Sequence, residues 1–457
     1  MSPTADTLSA RRLAFAVLER VATGGYADRS LDAALRRQSA LDPRDRGLAT
    51  ELVYGVLRQQ GRLDYALTPF CRQPLTRLEP RALLLLRLGA YQVLCLDRVP
   101  DSAAVDTSVQ LARTLRLERL TGLVNGVLRA LVRGRASLVW PDARQEPLAH
   151  LQNALSLPHW LAVRWLADYG ADEAIALAGA LQHSAPTTLR ANTLKLTREQ
   201  LLQRLAAAGH GAVAARFAPE GIVLSERGAA PLPGDDEGWY QVQDEASMLI
   251  AHLLAPRPGE RLLDCCAAPG GKTTHLAALT GNRAEIVALD LHPHRVKLIE
   301  QGAARLGCTS ITAQVWDMSR TPDFLEAGSF AGVLVDAPCS GLGVLRRNPE
   351  ARWRLSAADI AELQGKQQQI LASAAPLVRP GGRLVYSVCT FTREETEEVV
   401  GEFLAGHPQF ARLNLTEQLP ADWHELIDAT GALRSWPHRQ GLDGFYAVVM
   451  QCKELLL

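Results

Sequence analysis

Short apolar segments alternate with helical segments from Gly259 to the end of the chain, and this alternation constrains the fold more than any other feature. Near-continuous runs of valine, leucine and isoleucine that alternate with helices indicate a mostly parallel sheet covered on both faces. We therefore predict an α/β fold with strand order 3-2-1-4-5, in which ligands bind beyond the carboxyl ends of the strands. The predicted strands are 261–264, 286–290, 312–315, 332–336, 383–388 and 445–451.

The first 140 residues show a different pattern. Apolar residues recur there at spacings of three and four, as in Leu13, Val17 and Val21, which is typical of amphipathic helices. Asp42 followed by Pro43 is a helix-start signal. Residues 150–255 mix helical segments with short strand candidates at 187–192, 221–224 and 239–242. The sequence thus predicts a multidomain chain: an all-helical domain at 1–140, a small α+β module at 150–255, and an α/β domain at 256–457.

The charge of the helical segment differs sharply from that of the whole chain. The 457 residues carry no net charge, but residues 1–140 hold 21 arginines, no lysine and 13 acidic residues, which gives +8 and leaves −8 for the remainder. A basic leading domain on an acidic body favours a nucleic-acid-binding module. The alternative is an ordinary solvated helical surface.

Other classes of protein are excluded by composition. No window reaches about 18 uninterrupted apolar residues, and charged residues fall where a signal peptide would be apolar, so we expect a cytoplasmic protein with no membrane partner. We also expect a monomer. None of the eight cysteines forms a C-x-x-C pair, which argues against a zinc site, and we expect no metal. In a cytoplasmic protein the cysteines should be reduced thiols.

The loop after the first predicted strand, Cys266 to Lys272, is small and rich in glycine, and a helix follows it. Glycines allow a ligand to approach the backbone closely, and a helix N-terminus attracts negative charge. A nucleotide-binding P-loop would need glycine where Cys266 stands, and the dinucleotide fingerprint G-x-G-x-x-G is absent. The interpretation that remains is that this loop binds a nucleoside cofactor with an amino-acid tail. Lys272 could equally be a solvated first-turn residue.

Acidic residues follow four predicted strands: Asp264, Asp290, Asp317 and Asp336. Asp290 is placed to bridge two ribose hydroxyls, although it could instead cap the next helix. Asp317 could accept from an adenine amine or simply form a turn. Four acids at successive strand ends favour the ligand-binding interpretation.

Two cysteines, Cys339 and Cys389, follow the fourth and fifth predicted strands. These strands are neighbours in the predicted order, so both thiols should lie at the mouth of the site. Two thiols on adjacent strand ends, beside an acid and a glycine loop, are a strong indication of chemistry.

These motifs resemble the RNA (cytosine-5)-methyltransferases of the Nop/Sun type, over residues 259–452. The leading segment also looks like the NusB-type RNA-binding helical domain, through Asp45-Arg46 and the run 124–129. The matching methyltransferase motifs are 264–273 (DCCAAPGGKT), 336–341 (DAPCSG), 346–349 (RRNP) with Trp353, and 387–390 (SVCT).

The resemblance implies an S-adenosylmethionine-dependent enzyme that methylates C5 of an unpaired or looped cytosine in 16S ribosomal RNA through a covalent cysteine–C6 adduct. It implies that Cys389 is the nucleophile, that Cys339 assists product release, and that Asp336 contacts the N3 edge of the base. Arg346 and Arg347 could line the RNA path or be solvated loop residues. The implied cofactor contacts are Cys266, Ala267, Ala268, Pro269, Gly270, Gly271, Lys272, Asp290, Asp317 and Asp336.

A non-catalytic RNA-binding assembly factor with an inactive methyltransferase domain is the alternative from another class. The intact set of acids and cysteines argues against it.

Overall fold

The computed structural model describes residues 5–38, 41–226 and 231–454. The chain forms two compact units. The first comprises Met1–Ser184 and Leu345–Arg354, and the second comprises Ala185–Val344 and Leu355–Leu457.

The described helices and strands have the following bounds. The α-helices are α1 (Ala5–Ala22), α2 (Ala27–Arg37), α3 (Pro43–Arg58), α4 (Gln60–Leu67), α5 (Pro80–Cys95), α6 (Asp101–Thr114), α7 (Thr121–Gly134), α8 (Pro147–Ala149), α9 (His159–Tyr169), α10 (Ala171–Ala180), α11 (Arg198–Ala207), α12 (Glu245–Leu253), α13 (Gly271–Leu279), α14 (Pro293–Leu306), α15 (Ala351–Arg354), α16 (Ala357–Ala374) and α17 (Val399–Gly406). The strands are β1 (Thr187–Ala191), β2 (Gly211–Ala214), β3 (Gly221–Glu226), β4 (Tyr240–Val242), β5 (Arg261–Asp264), β6 (Glu285–Asp290), β7 (Ile311–Val315), β8 (Phe330–Asp336), β9 (Val378–Val388), β10 (Phe410–Arg412), β11 (Leu433–Ser435) and β12 (Phe445–Cys452).

The first unit is helical, as the sequence predicts. Helix α3 begins where the start signal indicates: the Asp42 carboxylate accepts a hydrogen bond from the Arg44 amide at 2.6 Å, with Pro43 in the first turn. Its apolar face, which includes Leu52 and Val56, is fully buried in the core of the unit. Such burial stabilises a helix more than its intrinsic propensity does.

Residues 345–354 belong to the first unit although they follow β8 in sequence. The Trp353 indole donates to the Leu57 carbonyl at 2.9 Å, and the Arg354 guanidinium donates to the Val21 carbonyl at 2.8 Å. Arg346 is buried here, and its carbonyl accepts from Arg58 at 3.5 Å. The alternative that Arg346 is a solvated loop residue is therefore wrong, because this segment packs against helices that precede it by almost 300 positions.

The second unit begins with a four-stranded antiparallel sheet in the order β2-β3-β1-β4. Three of these strands were predicted, whereas the short strand β2 was not. Helices α8, α9 and α10 belong to the first unit, and the division of the sequence at 1–140, 150–255 and 256–457 stays a prediction.

The second sheet confirms the predicted α/β fold. Its order is β10-β12-β9-β8-β5-β6-β7, with β11 paired to β12. The five strands from β7 to β9 are parallel and follow the predicted 3-2-1-4-5 order, while β12 is antiparallel to β9. The edge strands β10 and β11 have three residues each and were not predicted. Among the described residues, no helix has both the length and the apolar character needed to cross a bilayer.

Two glycines of helix α3 provide a test of the packing in the first unit. A Cβ at Gly55 would lie 2.0 Å from Cζ of the buried Tyr91 ring, so we expect Gly55→Ala to destabilise the protein by about 1–3 kcal/mol. A Cβ at Gly47 meets nothing within 4 Å, so Gly47→Ala should stabilise it by about 0.5–1 kcal/mol. Thermal unfolding of the two variants should therefore shift in opposite directions. Unchanged or increased stability of Gly55→Ala would contradict the assigned packing of α3 on α5.

Candidate active site

The parallel pairing of β5, β6, β8 and β9 brings the predicted site residues to one edge of the sheet. Asp264 pairs with Leu334 of β8, and Asp336 pairs with Ser387 of β9. A pocket of 570 Å³ lies at this edge. It is lined by Cys265, Cys266, Ala268, Asp290, Leu291, His292, Arg295, Trp316, Asp317, Met318, Ser319, Asp336, Ala337, Pro338, Cys339, Leu363, Lys366, Gln369, Ile370 and Cys389.

The predicted cofactor residues divide into two groups in the structure. Five of them line the pocket, and the other five lie beside it. Those that line it are Cys266, Ala268, Asp290, Asp317 and Asp336, whereas Ala267, Pro269, Gly270, Gly271 and Lys272 do not.

The glycine loop has a conformation that requires its sequence. Gly270 has a φ of +100°, and a Cβ there would lie 3.2 Å from the Ile299 Cα of α14. The backbone therefore passes α14 at a distance that only glycine permits. The loop is also tied to the sheet, since the Ala267 amide donates to the Leu289 carbonyl at 2.9 Å.

Asp290 lies at the end of β6 and is almost fully buried. Its carboxylate accepts from the Ala268 amide at 3.3 Å and from the His292 amide at 3.2 Å, and it lies 3.5 Å from the Arg295 guanidinium. The residue at the N-cap of α14 is His292 rather than Asp290. A carboxylate has about four acceptor sites, so Asp290 keeps capacity for a ligand hydroxyl.

Asp317 is a turn residue that also lines the pocket. Its Oδ1 accepts from the Ser319 amide at 2.9 Å, as a turn residue does, and this hydrogen bond holds the pKa of the carboxyl below its usual range. The same residue is exposed at the rim of the pocket, next to Trp316 and near the buried Met318. Sequence reasoning missed these two apolar neighbours, which offer a surface for a flat ring.

Lys272 is not a solvated first-turn residue. Its ammonium lies 2.6 Å from Asp336 Oδ2, and the Ser387 hydroxyl donates to Asp336 Oδ1 at 2.7 Å. Burial alone would lower the pKa of Lys272, but the Asp336 carboxylate and, to a smaller extent, Cys389 outweigh it and raise that pKa. Lys272 therefore stays charged beside both Asp336 and Cys389.

The two predicted thiols lie together. Cys339 Sγ is 3.4 Å from Cys389 Sγ. The hydrogen bond between them, together with burial, raises the pKa of Cys339 well above its usual value, so Cys339 stays protonated at neutral pH. Burial likewise raises the pKa of Cys266. Of these three pocket thiols, Cys389 is the one that lies near the cationic Lys272.

Asp264 does not line the pocket. It is fully buried, its Oδ2 accepts from the Thr273 hydroxyl at 2.7 Å, and burial raises its pKa to about 7. This hydrogen bond joins the end of β5 to the first turn of α13. Asp264 thus supports the glycine loop from beneath.

Arg190 of β1 is a supporting residue that sequence reasoning missed. Its buried guanidinium donates to the Gly271 carbonyl, to Gln243 Oε1 at 2.5 Å and to the Thr274 hydroxyl at 3.0 Å. It therefore ties the first sheet of this unit to the glycine loop. The signal that the sequence offered for this role is an arginine at a position inside a predicted strand.

A second cluster, formed by Glu220, His252 and His275, places three possible metal-ligand atoms within 4.8 Å of one another. Burial, followed by the charge of Arg190, lowers the pKa of His275 to about 3, so this histidine is neutral. Glu220 in turn interacts with Arg190, which supplies the positive charge that a cation would otherwise bring. We assign these residues a structural role.

The pocket residues fit a nucleoside that carries a charged amino-acid tail. The Asp290 carboxylate can accept from a ribose hydroxyl, Asp317 from an exocyclic amine, and Trp316 with Met318 can cover a purine ring. The volume of 570 Å³ lies within the ordinary range of cofactor pockets.

Comparison with known families agrees with this site. Residues 251–451 match the family described as 16S rRNA methyltransferase RsmB/F. Residues 8–133 match the NusB family, and residues 157–230 match the ferredoxin-like domain of RsmF/B-like methyltransferases.

Individual relatives cover nearly the whole chain. It is 39% identical to a probable ribosomal RNA small subunit methyltransferase B of Bacillus subtilis, over 91% of this chain and 93% of that protein. A Synechocystis protein of the same description is 37% identical over 96% of this chain and 98% of its own length. The crystal structure of PH0851 superposes with a TM-score of 0.81 at 26% identity, over 97% of this chain and 98% of that one. The chain therefore belongs to the RsmB/F family of ribosomal RNA methyltransferases, whose methyl donor is S-adenosylmethionine.

Proposed function

We propose that this enzyme methylates C5 of a cytosine in 16S ribosomal RNA through a covalent bond between Cys389 and C6 of the base. The observation that carries the proposal is the pair of sulfurs 3.4 Å apart, next to the Lys272–Asp336 ion pair and at the rim of the cofactor pocket. The choice of 16S RNA is supported by relatives described as small subunit methyltransferases.

C5 of cytosine is a poor nucleophile, and addition of a thiolate at C6 changes that. The Cys389 thiolate gives its electron pair to a new S–C6 bond, and the C5–C6 π pair moves to C5, which becomes an enamine carbon. Lys272 stabilises the thiolate before attack, since it is a buried cation beside Cys389. When bound, S-adenosylmethionine supplies an electrophilic methyl group, which C5 takes.

Asp336 stabilises the ring while the adduct exists. As the thiolate adds, N3 takes a proton from water, which it returns when the product is released; in between, the Asp336 carboxylate accepts a hydrogen bond from N3–H and offsets the positive charge that the ring acquires with the methyl group. The Ser387 hydroxyl and the Lys272 ammonium fix the carboxylate in place from its other sides.

Release of the product requires a base, and Cys339 is placed to be that base. While Cys389 is free, its sulfur raises the pKa of Cys339 and keeps that thiol protonated. Once Cys389 is bonded to carbon, the largest cause of this shift, its hydrogen bond with Cys339, is lost, and in this proposal Cys339 then gives its proton to water. The Cys339 thiolate then takes the C5 proton, the C6–S bond breaks, and its electron pair returns to Cys389.

The first unit supplies the RNA-binding surface in this proposal. A groove of 320 Å³ between α6 and α7 is lined by Arg113, Asn125 and Arg129, among others, which suits a phosphate backbone. The pocket and both cysteines come from one chain, so we propose a monomer. Its reduced thiols fit a cytoplasmic location.

The cofactor residues can be tested by binding alone. Replacement of Asp290 by asparagine removes an acceptor for the ribose hydroxyls, so we expect Asp290→Asn to weaken S-adenosylmethionine binding by about 10–100-fold in titration calorimetry. Glu285→Gln, at the other end of β6, is the matched control because Glu285 is exposed and forms a surface ion pair with Arg261 at 2.8 Å. If Asp290→Asn and Glu285→Gln bound S-adenosylmethionine equally well, Asp290 would not be a cofactor-binding residue.

The two cysteine roles predict two different defects. The enzyme is incubated with small-subunit ribosomal RNA that lacks the modification and with methyl-labelled S-adenosylmethionine. Cys389→Ser should abolish transfer, because a hydroxyl is a far weaker nucleophile at neutral pH. Cys339→Ser should accumulate a protein–RNA adduct that survives denaturation, because elimination lacks its base. Nucleoside analysis and denaturing electrophoresis measure the two outcomes.

Cys71→Ser, in the first unit, is the control for loss of a thiol and should retain activity. Labelled product without 5-methylcytosine would refute the proposed reaction. If Cys389→Ser rather than Cys339→Ser accumulated the adduct, Cys339 would be the nucleophile and Cys389 the base.

A further inference from the structure

Glu395 is a buried acid that the mechanism above does not use. It lies in the π-helical turn Glu394–Glu398, six residues after Cys389. Its side chain is fully buried, between the loop that carries Cys339 and the loop that carries Cys389.

On one side, Glu395 holds the loop of Cys339. The Ser340 amide donates to Oε1 at 2.7 Å, and the Ser340 hydroxyl donates to Oε2 at 2.6 Å. The Gln367 amide group donates to Oε1 at 3.1 Å and to the Pro338 carbonyl at 2.9 Å. The residues on both sides of Cys339 are therefore tied, directly or through Gln367, to one carboxylate.

On the other side, Glu395 holds the loop of Cys389. The Thr392 hydroxyl donates to Oε2 at 2.6 Å, and the Thr390 hydroxyl lies 3.3 Å from the same oxygen. Thr390 Oγ1 also lies 2.7 Å from Ser340 Oγ, so the two loops are bonded to each other as well. The backbone carbonyl of Glu395 accepts from the Tyr386 hydroxyl of β9 at 2.7 Å.

We propose that Glu395 is a positioning residue that fixes the separation of Cys339 and Cys389 by accepting hydrogen bonds from both cysteine loops at once. The consequence for catalysis rests on the cysteine roles proposed above, whereas the geometric claim does not.

The donors around Glu395 require a carboxylate. Groups from Ser340, Gln367, Thr390 and Thr392 converge on two oxygens, and an ionised carboxylate is the side chain that only accepts. A glutamine of the same shape would place an N–H group against at least one N–H or O–H donor. Hydrogen bonds to a charged group are about twice as strong as neutral ones, so replacement of the carboxylate by an amide would weaken the hydrogen bonds that hold both loops.

The charge of Glu395 also acts on Cys339. The hydrogen bond with Cys389 and burial raise the pKa of Cys339 most, and the negative charge of Glu395 raises it further. Glu395 thereby favours the protonated form of Cys339, which a purely structural residue would not do.

The test compares Glu395→Gln with Glu398→Gln. Glu398 lies in the same turn but is exposed, and its carboxylate accepts from the Gln364 amide at 3.2 Å. The probe is phenylarsine oxide, which bonds two adjacent thiols at once and releases water without any change of oxidation state. We expect Glu395→Gln to bind the arsenical about tenfold more weakly than the wild type, and Glu398→Gln to bind it equally well. Each of the variants Cys339→Ser and Cys389→Ser lacks one thiol of the pair, so the arsenical that they still bind measures the background from the other cysteines.

Two further readouts separate positioning from general stability. In Glu395→Gln, kcat for methyl transfer should fall by about tenfold or more, while KM for S-adenosylmethionine changes by less than about twofold. Alkylation of Cys339 by iodoacetamide, followed against pH, should move to lower pH in Glu395→Gln because a negative charge has been removed. Glu398→Gln should leave both unchanged.

Wild-type affinity for the arsenical in a folded Glu395→Gln protein would overturn the inference. If that variant fails to fold, Ser340→Ala removes one hydroxyl link while keeping the backbone one, and wild-type arsenical affinity in Ser340→Ala would equally overturn it. Weakened arsenical binding in an enzyme that forms no 5-methylcytosine would leave the positioning role standing and refute the proposed reaction instead.

Discussion

Parallel hydrogen bonding between β5, β8 and β9 is the constraint on which the site depends. It sets Asp336 opposite Ser387, and the ladder continues past the strand ends, where the Ala337 amide donates to the Ser387 carbonyl at 2.9 Å. The Gly343 amide then donates to the Cys389 carbonyl at 3.0 Å. Two loops that are about 50 residues apart in sequence are thereby fixed side by side, so that the sulfurs of Cys339 and Cys389 lie 3.4 Å apart.

Crowding acids at one edge of a sheet is unfavourable unless each charge is compensated, and the structure uses a different means for each acid. Asp336 is paired with Lys272, while burial raises the pKa of Asp264 to about 7 and its carboxyl accepts from Thr273. Glu395 is surrounded by hydroxyl and amide donors, and Asp317 remains in solvent. The carboxylates left for a ligand are those that keep free acceptor sites at the pocket.

The sequence predicted those parts of the fold that depend on local pattern. Strand composition led to the parallel α/β sheet, and the acids and cysteines that follow the strands led to the edge where Asp290, Asp336, Cys339 and Cys389 meet. The supporting residues could not be predicted in the same way. Arg190 contacts Gly271 across 81 positions, and Glu395 is one of several acids in a charged run, distinguished from its neighbours only by tertiary burial.

Residues 345–354 show most clearly why local pattern fails. The segment follows the Cys339 loop in sequence, and its motif points to the catalytic unit, yet its side chains complete the helical unit. Arg352 is fully buried there, and burial lowers its pKa to about 9. Exposing this segment would leave the Trp353 and Arg354 donors without their carbonyl partners on α3 and α1. Part of the helical unit is therefore encoded between Cys339 and Cys389, far from the 1–140 segment whose pattern predicts that unit.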